Sequence, residues 1–177
     1  LLPKLESDLL LIGQAKGKFG GGQRRVFKQT QKKTAEGNKP NFAPCAVVGN
    51  RDGYVGVGYG KSKETVPARD KAIRRAKLNV KQIRRGCGSW ECGCKGSHSI
   101  PYAVQGHCGS VRITLVPAPK GKGLVAQEEV QKILKLAGIK DVWSKSSGKT
   151  AKTLNLVYAC VDALNMLVTM KVKEVHK

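Results

Sequence analysis

The chain has 177 residues and a formal net charge of +21, from 33 lysines and arginines against 12 acidic residues. Its hydrophobic share of 40% suffices for one or two small globular domains, which excludes wholesale disorder. No run approaches the ~20 apolar residues of a membrane span, so we expect no membrane partner and no secretory leader. So large a positive charge predicts a polyanionic partner, above all nucleic acid.

The distribution of charge and the cysteine content further narrow the class of protein. Residues 20–85 carry 17 basic and four acidic side chains, against 13 and six in residues 86–177, so the first half attracts a polyanion more strongly. Aromatic residues make up only 5% of the chain, which argues against base stacking as the main binding mode. Six cysteines without a leader predict free thiols or a metal site in the cytoplasm rather than disulfides.

The first half is typical of three strands followed by a helix. The predicted elements are a glycine-rich loop at 20–22, strands at 24–33, 41–49 and 54–60, a loop at 35–40 and a helix at 65–85. Glycines in the third strand indicate close approach by another backbone, of protein or RNA. The helix is expected to begin with Thr65 as its cap and to bury Ile73, Ala76 and Val80.

The second half is typical of a small sheet with two helices. The predicted elements are a glycine- and cysteine-rich linker at 86–97, strands at 99–105, 110–116 and 139–143, and helices at 126–137 and from Thr150 or Thr153 to Leu167. Gly138 is expected to end the first of these helices. The buried face of the last helix is predicted to be Leu156, Val157, Cys160, Val161, Leu164 and Leu167.

One cluster has the composition of a metal site. Cys87, Cys92, Cys94 and His98 provide three thiols and an imidazole within twelve positions, threaded with glycines, which fits one tetrahedral zinc ion. The spacing differs from the usual Cys-x2-Cys pairs, so three free thiols in a loop are the alternative. Cys108 is a rival fourth ligand, because the next strand could return across the linker. Either ligand set is closed and therefore structural.

Nucleotide-binding and catalytic sites are not expected. Gly60-Lys61-Ser62 and Gly148-Lys149-Thr150 resemble the end of a P-loop, but the glycine required five residues earlier is Val55 or Trp143. The three histidines and the scattered acids form no nucleophilic or acid–base constellation. We therefore predict no bound nucleotide, no catalytic residue and no enzyme activity.

Five segments occur in a recognisable order: Gly53–Lys61, Glu64–Ala68, Gly109–Arg112, Pro117–Gly123 and Ala137–Ile139. In this order they resemble the universal small-subunit ribosomal protein family S five, over about residues 19–168. The linker from Arg85 to Cys92 and the stretch from His98 to Gly109 resemble its archaeal and eukaryotic branch, and we expect an archaeal source.

The resemblance implies an α+β protein of two domains. The first is related to the double-stranded-RNA-binding fold, with a three-stranded sheet plus a helix, and the second is a small sheet backed by two helices with a left-handed crossover. The implied boundaries are an N-terminal extension at 1–19, an rRNA-binding domain at 20–85, a Cys/Gly-rich linker at 86–98, a C-terminal domain at 99–170 and a tail at 171–177.

The resemblance also implies a structural constituent of the small ribosomal subunit. Such a protein binds small-subunit rRNA near the mRNA entry side, beside proteins S four and S eight, without forming homo-oligomers, and supports assembly and decoding accuracy. Basic glycine-flanked loops suit phosphate contacts. The expected rRNA-binding residues are Lys18, Gly20, Gly21, Gly22, Gln23, Arg24, Arg25, Lys28, Lys61, Lys63, Arg84, Arg85, Lys120 and Lys122.

Two other function classes fit the same composition. A free RNA-binding regulator or chaperone would use the same basic surface without being retained in the ribosome. A metal-dependent RNA-modifying enzyme would need an open metal position and a general acid or base, for which Glu91 is the only candidate within the cysteine cluster.

The loop from Gly20 to Arg25 is predicted to contact rRNA phosphates. Replacing Arg24 and Arg25 together by alanine should remove up to two phosphate contacts. The slope of log affinity against log salt concentration should then fall by roughly one for each phosphate that is no longer bound. Filter binding to small-subunit rRNA at several salt concentrations measures both quantities. An unchanged affinity and slope would contradict the prediction.

Overall fold

The computed structural model describes residues 4–14, 24–94 and 96–170. Within these residues strands and helices are mixed along the chain, so the predicted α+β class is confirmed. The elements are β1 (Glu6–Leu10), β2 (Lys28–Thr34), β3 (Gly37–Ala43), β4 (Cys45–Gly49), β5 (Tyr54–Tyr59), α1 (Thr65–Leu78), β6 (Lys81–Gln82), β7 (Val104–Cys108), β8 (Val111–Pro117), β9 (Leu124–Val125), α2 (Glu128–Ala137), β10 (Val142–Ser147) and α3 (Thr153–Thr169). No helix in these ranges is both long and apolar enough to cross a membrane.

The chain forms two compact units. The first unit comprises Glu6–Val48 and Gly56–Val80. The second comprises residues 4–5, Gly49–Val55 and the described residues from Lys81 onward. Each unit has its own sheet and helix packing, and each is described by itself.

In the first unit, helix α1 lies almost in contact with the backbone of β5. Ala68, Ala72 and Ala76 are its fully buried residues. A Cβ atom added to Gly58 would lie 2.2 Å from the backbone nitrogen of Ala76, and one added to Gly60 would lie 2.4 Å from the carbonyl oxygen of Ala68. The strand glycines are therefore required by helix packing, and the closely approaching backbone is that of protein.

The first unit also contains a hairpin that forms a sheet of its own. Strands β2 and β3 pair from Lys28 with Ala43 to Thr34 with Gly37, in antiparallel register. The predicted loop at 35–40 is wrong, because its last four residues belong to β3. Pro40 has low strand propensity, but the edge of a two-stranded ribbon tolerates it.

The second unit has a four-stranded sheet in the order β7-β8-β10-β9. Strand β10 pairs antiparallel with β8 and parallel with β9. Helix α3 packs on β7, where a Cβ atom on Gly106 would lie 2.3 Å from both the Ala159 carbonyl oxygen and the Ala163 nitrogen. Of the six residues predicted for the buried face of α3, five are buried and Val161 is half-buried.

Several predicted boundaries differ from the observed ones. Helix α1 ends at Leu78 rather than at residue 85, and Asn79 follows it with its side-chain amide donating to the Val57 carbonyl oxygen at 3.2 Å. Ala76 is fully buried as predicted, whereas Ile73 is half-buried because the helix turns its alanine face to the strand. Val80, predicted as part of the same helix face, lies beyond the helix end and is also half-buried.

Strand starts and helix caps also differ. Strand β7 begins at Val104 rather than at 99, and β10 begins at Val142 rather than at 139. The residues at the N-caps of α1 and α3 are Glu64 and Lys152, and neither makes a side-chain capping hydrogen bond. Gly138 ends α2 with a left-handed φ of 82°, as predicted.

Ala76 allows a sharp test of this packing. Ala76→Asp places an unpaired charge against the β5 backbone and should lower the free energy of unfolding by more than ~3 kcal/mol. Lys71→Asp, on the exposed face of the same helix, is the matched control and should cost less than ~1 kcal/mol. Chemical denaturation of both variants gives the two values. Equal stability of the two variants would mean that the helix face is misassigned.

Candidate nucleic-acid interface and metal centre

Basic residues of the first unit lie on backbone segments that are hydrogen-bonded to one another. Arg25 N–H donates to the Gln14 carbonyl oxygen at 3.2 Å, and the Arg25 carbonyl oxygen accepts from Gly13 N–H at 2.8 Å. Phe42 and Ser62 exchange two backbone hydrogen bonds of 2.8 and 3.0 Å. The second pair places the Lys61-Ser62-Lys63 segment beside the base of the β2–β3 hairpin.

Lysines of the hairpin itself extend this set. Lys28, Lys32, Lys33 and Lys39 are all exposed, and one acidic residue, Glu36, pairs with Lys39 at 2.7 Å. We call the following residues the hairpin basic surface: Arg24, Arg25, Lys28, Lys32, Lys33, Lys39, Lys61 and Lys63. The predicted contacts Lys18, Gly20, Gly21, Gly22 and Gln23 lie outside the described residues.

Three residues of the hairpin basic surface, Lys32, Lys33 and Lys39, were not predicted from the sequence. The available signal is the composition of β2, since Lys28–Thr34 contains no apolar residue. A strand with no apolar residue has no face to bury, so both of its faces are exposed.

In the second unit, one carboxylate holds the loop that carries Lys120 and Lys122. Asp141 Oδ1 accepts hydrogen bonds from Gly121 N–H at 3.1 Å and Gly123 N–H at 2.8 Å. Both glycines have a left-handed φ, of 91° and 73°, which other residues rarely adopt. The two lysines are exposed on this fixed turn, as their predicted role requires.

The side chains of Arg84 and Arg85 both make contacts within the chain itself. Arg85 forms an ion pair with Asp52, and its side chain is only 21% exposed. Arg84 donates to the Met170 carbonyl oxygen at 3.3 Å. Each guanidinium has five N–H donors, so these contacts orient the side chains while leaving donors for a further ligand.

The predicted cysteine cluster is brought together. The ligand atoms of Cys87, Cys92, Cys94 and His98 all lie within 4.8 Å of one another. Cys92 Sγ is 2.9 Å from Cys94 Sγ, and His98 Nε2 is 3.0 Å from Cys94 Sγ and 3.7 Å from Cys92 Sγ. Cys108, the rival fourth ligand, lies at the end of β7 and is not part of this group.

Asp141 orients the histidine of this cluster. Its Oδ2 is 2.7 Å from His98 Nδ1, and the two side chains are 6% and 10% exposed. The His98 carbonyl oxygen accepts from Lys140 N–H at 2.8 Å, and Ser99 Oγ donates to the Asp141 carbonyl oxygen. A carboxylate on one ring nitrogen fixes the imidazole so that the other nitrogen faces the thiols.

Thiol and carboxyl pKa values reflect this geometry. Burial raises the pKa of the Cys87 thiol to about 11, whereas contact with Cys94 lowers the pKa of the Cys92 thiol to about 6. Burial alone would raise the pKa of the Asp141 carboxyl, but hydrogen bonds from Gly123 N–H and His98 outweigh it and lower that pKa. Three thiols and one oriented imidazole make a donor set suited to a soft tetrahedral ion, with all four positions filled by protein.

Comparison with known proteins places most of the chain in two described domains. Residues 23–84 match the family described as ribosomal protein S5, N-terminal domain, and residues 106–177 match ribosomal protein S5, C-terminal domain. The cysteine cluster lies between the two matched ranges.

Three similar proteins that cover nearly the whole chain come from archaea, and each is named small ribosomal subunit protein uS5. The chain is 52% identical to the one from Nanoarchaeum equitans, over 98% of this chain and 74% of that protein. It is 51% identical to the one from Methanocaldococcus jannaschii, over 100% and 75%. It is 53% identical to the one from Pyrobaculum calidifontis, over 93% and 74%.

Proposed function

The chain belongs to the ribosomal protein S5 family, and we propose that it binds small-subunit rRNA through the hairpin basic surface and the Lys120–Gly123 loop. As a member of this family it is a structural component of the small ribosomal subunit. Its place is the ribosome, and its partners are rRNA and other ribosomal proteins.

The observation that carries the proposed contact is the exposed β2–β3 hairpin. Its residues from Lys28 to Lys33 are exposed on both faces, and the hairpin contains four lysines but one acidic residue. Only its base is covered, at Phe42 and Ala43, and a two-stranded ribbon with so little apolar packing is only marginally stable in water. A partner that neutralises its charge would therefore also order it. A phosphate backbone supplies that charge, and the Lys61–Lys63 segment, which follows Gly60 and lies at the hairpin base, can follow it closely.

The same proposal extends to the protein's surroundings in the ribosome. The protein acts in the cytoplasm, near the mRNA entry side and beside proteins S four and S eight, where it supports assembly and decoding accuracy without catalysing a reaction. The domain limits at 20–85 and 99–170 separate an rRNA-binding part from a C-terminal part. Arg84 and Arg85, already oriented by protein partners, would present their remaining donors to rRNA.

Retention in the small subunit distinguishes a ribosomal protein from a free RNA-binding regulator. The protein should co-sediment with small subunits through a high-salt wash, and Lys32→Glu/Lys33→Glu should lower its occupancy several-fold, because two repulsive charges replace two phosphate contacts. Lys145→Glu/Lys149→Glu, which makes the same charge change at exposed residues outside the proposed surfaces, is the control. A wild-type protein that washes off would favour the free regulator.

The cysteine cluster is proposed to hold one structural zinc ion through Cys87, Cys92, Cys94 and His98. Supporting this are the convergence of the four ligand atoms and the imidazole that Asp141 already turns toward the thiols. When bound, zinc would hold together a glycine-rich segment with little apolar core of its own. With four protein ligands the site offers no open position for catalysis.

Metal content tests the zinc site and its fourth ligand together. The purified protein should contain about one zinc per chain, and Cys92→Ser/Cys94→Ser should lose it. Cys108→Ser is the matched control and should retain the metal, whereas His98→Ala should not. Elemental analysis and the thiolate absorption of the cobalt-substituted protein give the readouts. Metal loss in Cys108→Ser with retention in His98→Ala would contradict the ligand set.

A further inference from the structure

The second unit contains an open cavity of about 830 Å³ beside, and partly sharing a wall with, the metal centre. Its wall includes four cationic side chains, Arg51, Arg85, Lys135 and Lys140, and none of the described residues that line it is acidic. Leu124 and Ile139 are the apolar residues of its lining. This volume falls within the roughly 300–1,000 Å³ of small-ligand sites, which combine an apolar lining with a few fixed polar groups.

Two features make this set of cations suitable for an anion. The ion pair with Asp52 anchors Arg85, whose guanidinium packs against Gly53 and Gly138. Within the described part of the chain, neither Lys135 nor Lys140 takes part in an ion pair, so their charge is available to an anion. A planar, anchored guanidinium beside two lysines suits a phosphate group or the face of a base.

The backbone of Arg51 is strained where it enters the cavity wall. Its φ is +57°, in the left-handed region that disfavours residues with a Cβ. The strain is imposed by its surroundings, since Arg51 N–H donates to the Leu136 carbonyl oxygen at 2.8 Å and Asn50 Oδ1 accepts from Asp52 N–H at 2.8 Å. A Cβ on Gly138 would lie 2.1 Å from the Arg51 carbonyl oxygen, so the two backbones fit closely. Strain of this kind at a non-glycine residue points to a use for its side chain.

We propose that this cavity binds one unpaired nucleotide of the small-subunit rRNA, an inference that rests on the proposed function. The phosphate lies at the four cations, and the base lies against Leu124 and Ile139. Single-stranded rRNA positions are recognised in this way, by a phosphate contact combined with stacking or apolar contact to a splayed base. An acidic protein segment would match the cations but would leave the apolar residues unused.

Substituting the two unpaired lysines tests the cavity directly. Lys135→Ala/Lys140→Ala should lower the affinity for refolded small-subunit rRNA about tenfold and reduce the salt slope by roughly one to two. Lys145→Ala/Lys149→Ala removes the same charge from exposed residues elsewhere in the unit and should leave both values near wild type. Equal effects of the two double variants would overturn the inference.

A second variant separates strain from binding. Arg51→Gly removes one cation of the cavity and relieves the left-handed backbone conformation, and it should weaken rRNA binding; its thermal midpoint is measured alongside to show that the variant is folded. Unchanged binding in this variant would overturn the inference. If the lysine variant instead keeps its rRNA affinity but loses a neighbouring protein from the assembled subunit, the cavity belongs to a protein partner and the inference fails.

Different results would contradict the proposed function itself. It fails if the wild-type protein does not bind the rRNA, or if the Lys32→Glu/Lys33→Glu variant binds as well as wild type. Retained sensitivity to those hairpin changes, with no effect of the cavity variants, would count against the cavity alone.

Discussion

In each unit a helix packs directly against the backbone of a glycine-bearing strand. In the first unit Ala76 lies over Gly58, and in the second unit Ala163 lies over Gly106, with distances that leave no room for a Cβ. The separation between helix and strand is then set by backbone atoms rather than by side chains, so a methyl group on either strand would displace the whole helix. Because α1 sits so close, β5 stays buried, and the segment from Gly60 onward meets the hairpin base through Ser62.

A single carboxylate connects two features that are distant in the sequence. Asp141 binds His98 of the cysteine cluster through one oxygen and two amides of the Lys120–Gly123 loop through the other. Its position is fixed by backbone hydrogen bonds to the His98 carbonyl oxygen. A metal bound at the cluster would therefore stiffen the imidazole, the carboxylate and the loop together, and in this way it would also support the second basic loop.

Short-range sequence patterns predicted the elements whose structure depends mainly on residues that are close in the sequence. Helix α3 follows its apolar period, and Gly138 ends α2 as its conformational freedom suggests. The cysteine cluster was visible because its four ligands are close in sequence. Asp141 was not, since 43 residues separate it from His98 and no spacing rule links them. The β2–β3 hairpin was partly missed because Pro40 disfavours strands and no apolar residue marks a face.

Exposure of the hairpin on both faces has a consequence for local stability. From the Gln31–Pro40 pair to the turn, its backbone hydrogen bonds have no core above or below them, so the amide hydrogens there can exchange through local opening, while those of β4 require the unit to unfold. The free energy needed to open the hairpin is thus separate from the free energy of unfolding of its unit. Part of the energy of binding a partner to the hairpin would be spent on keeping this ribbon closed, and the affinity measured for that partner would include the ordering cost.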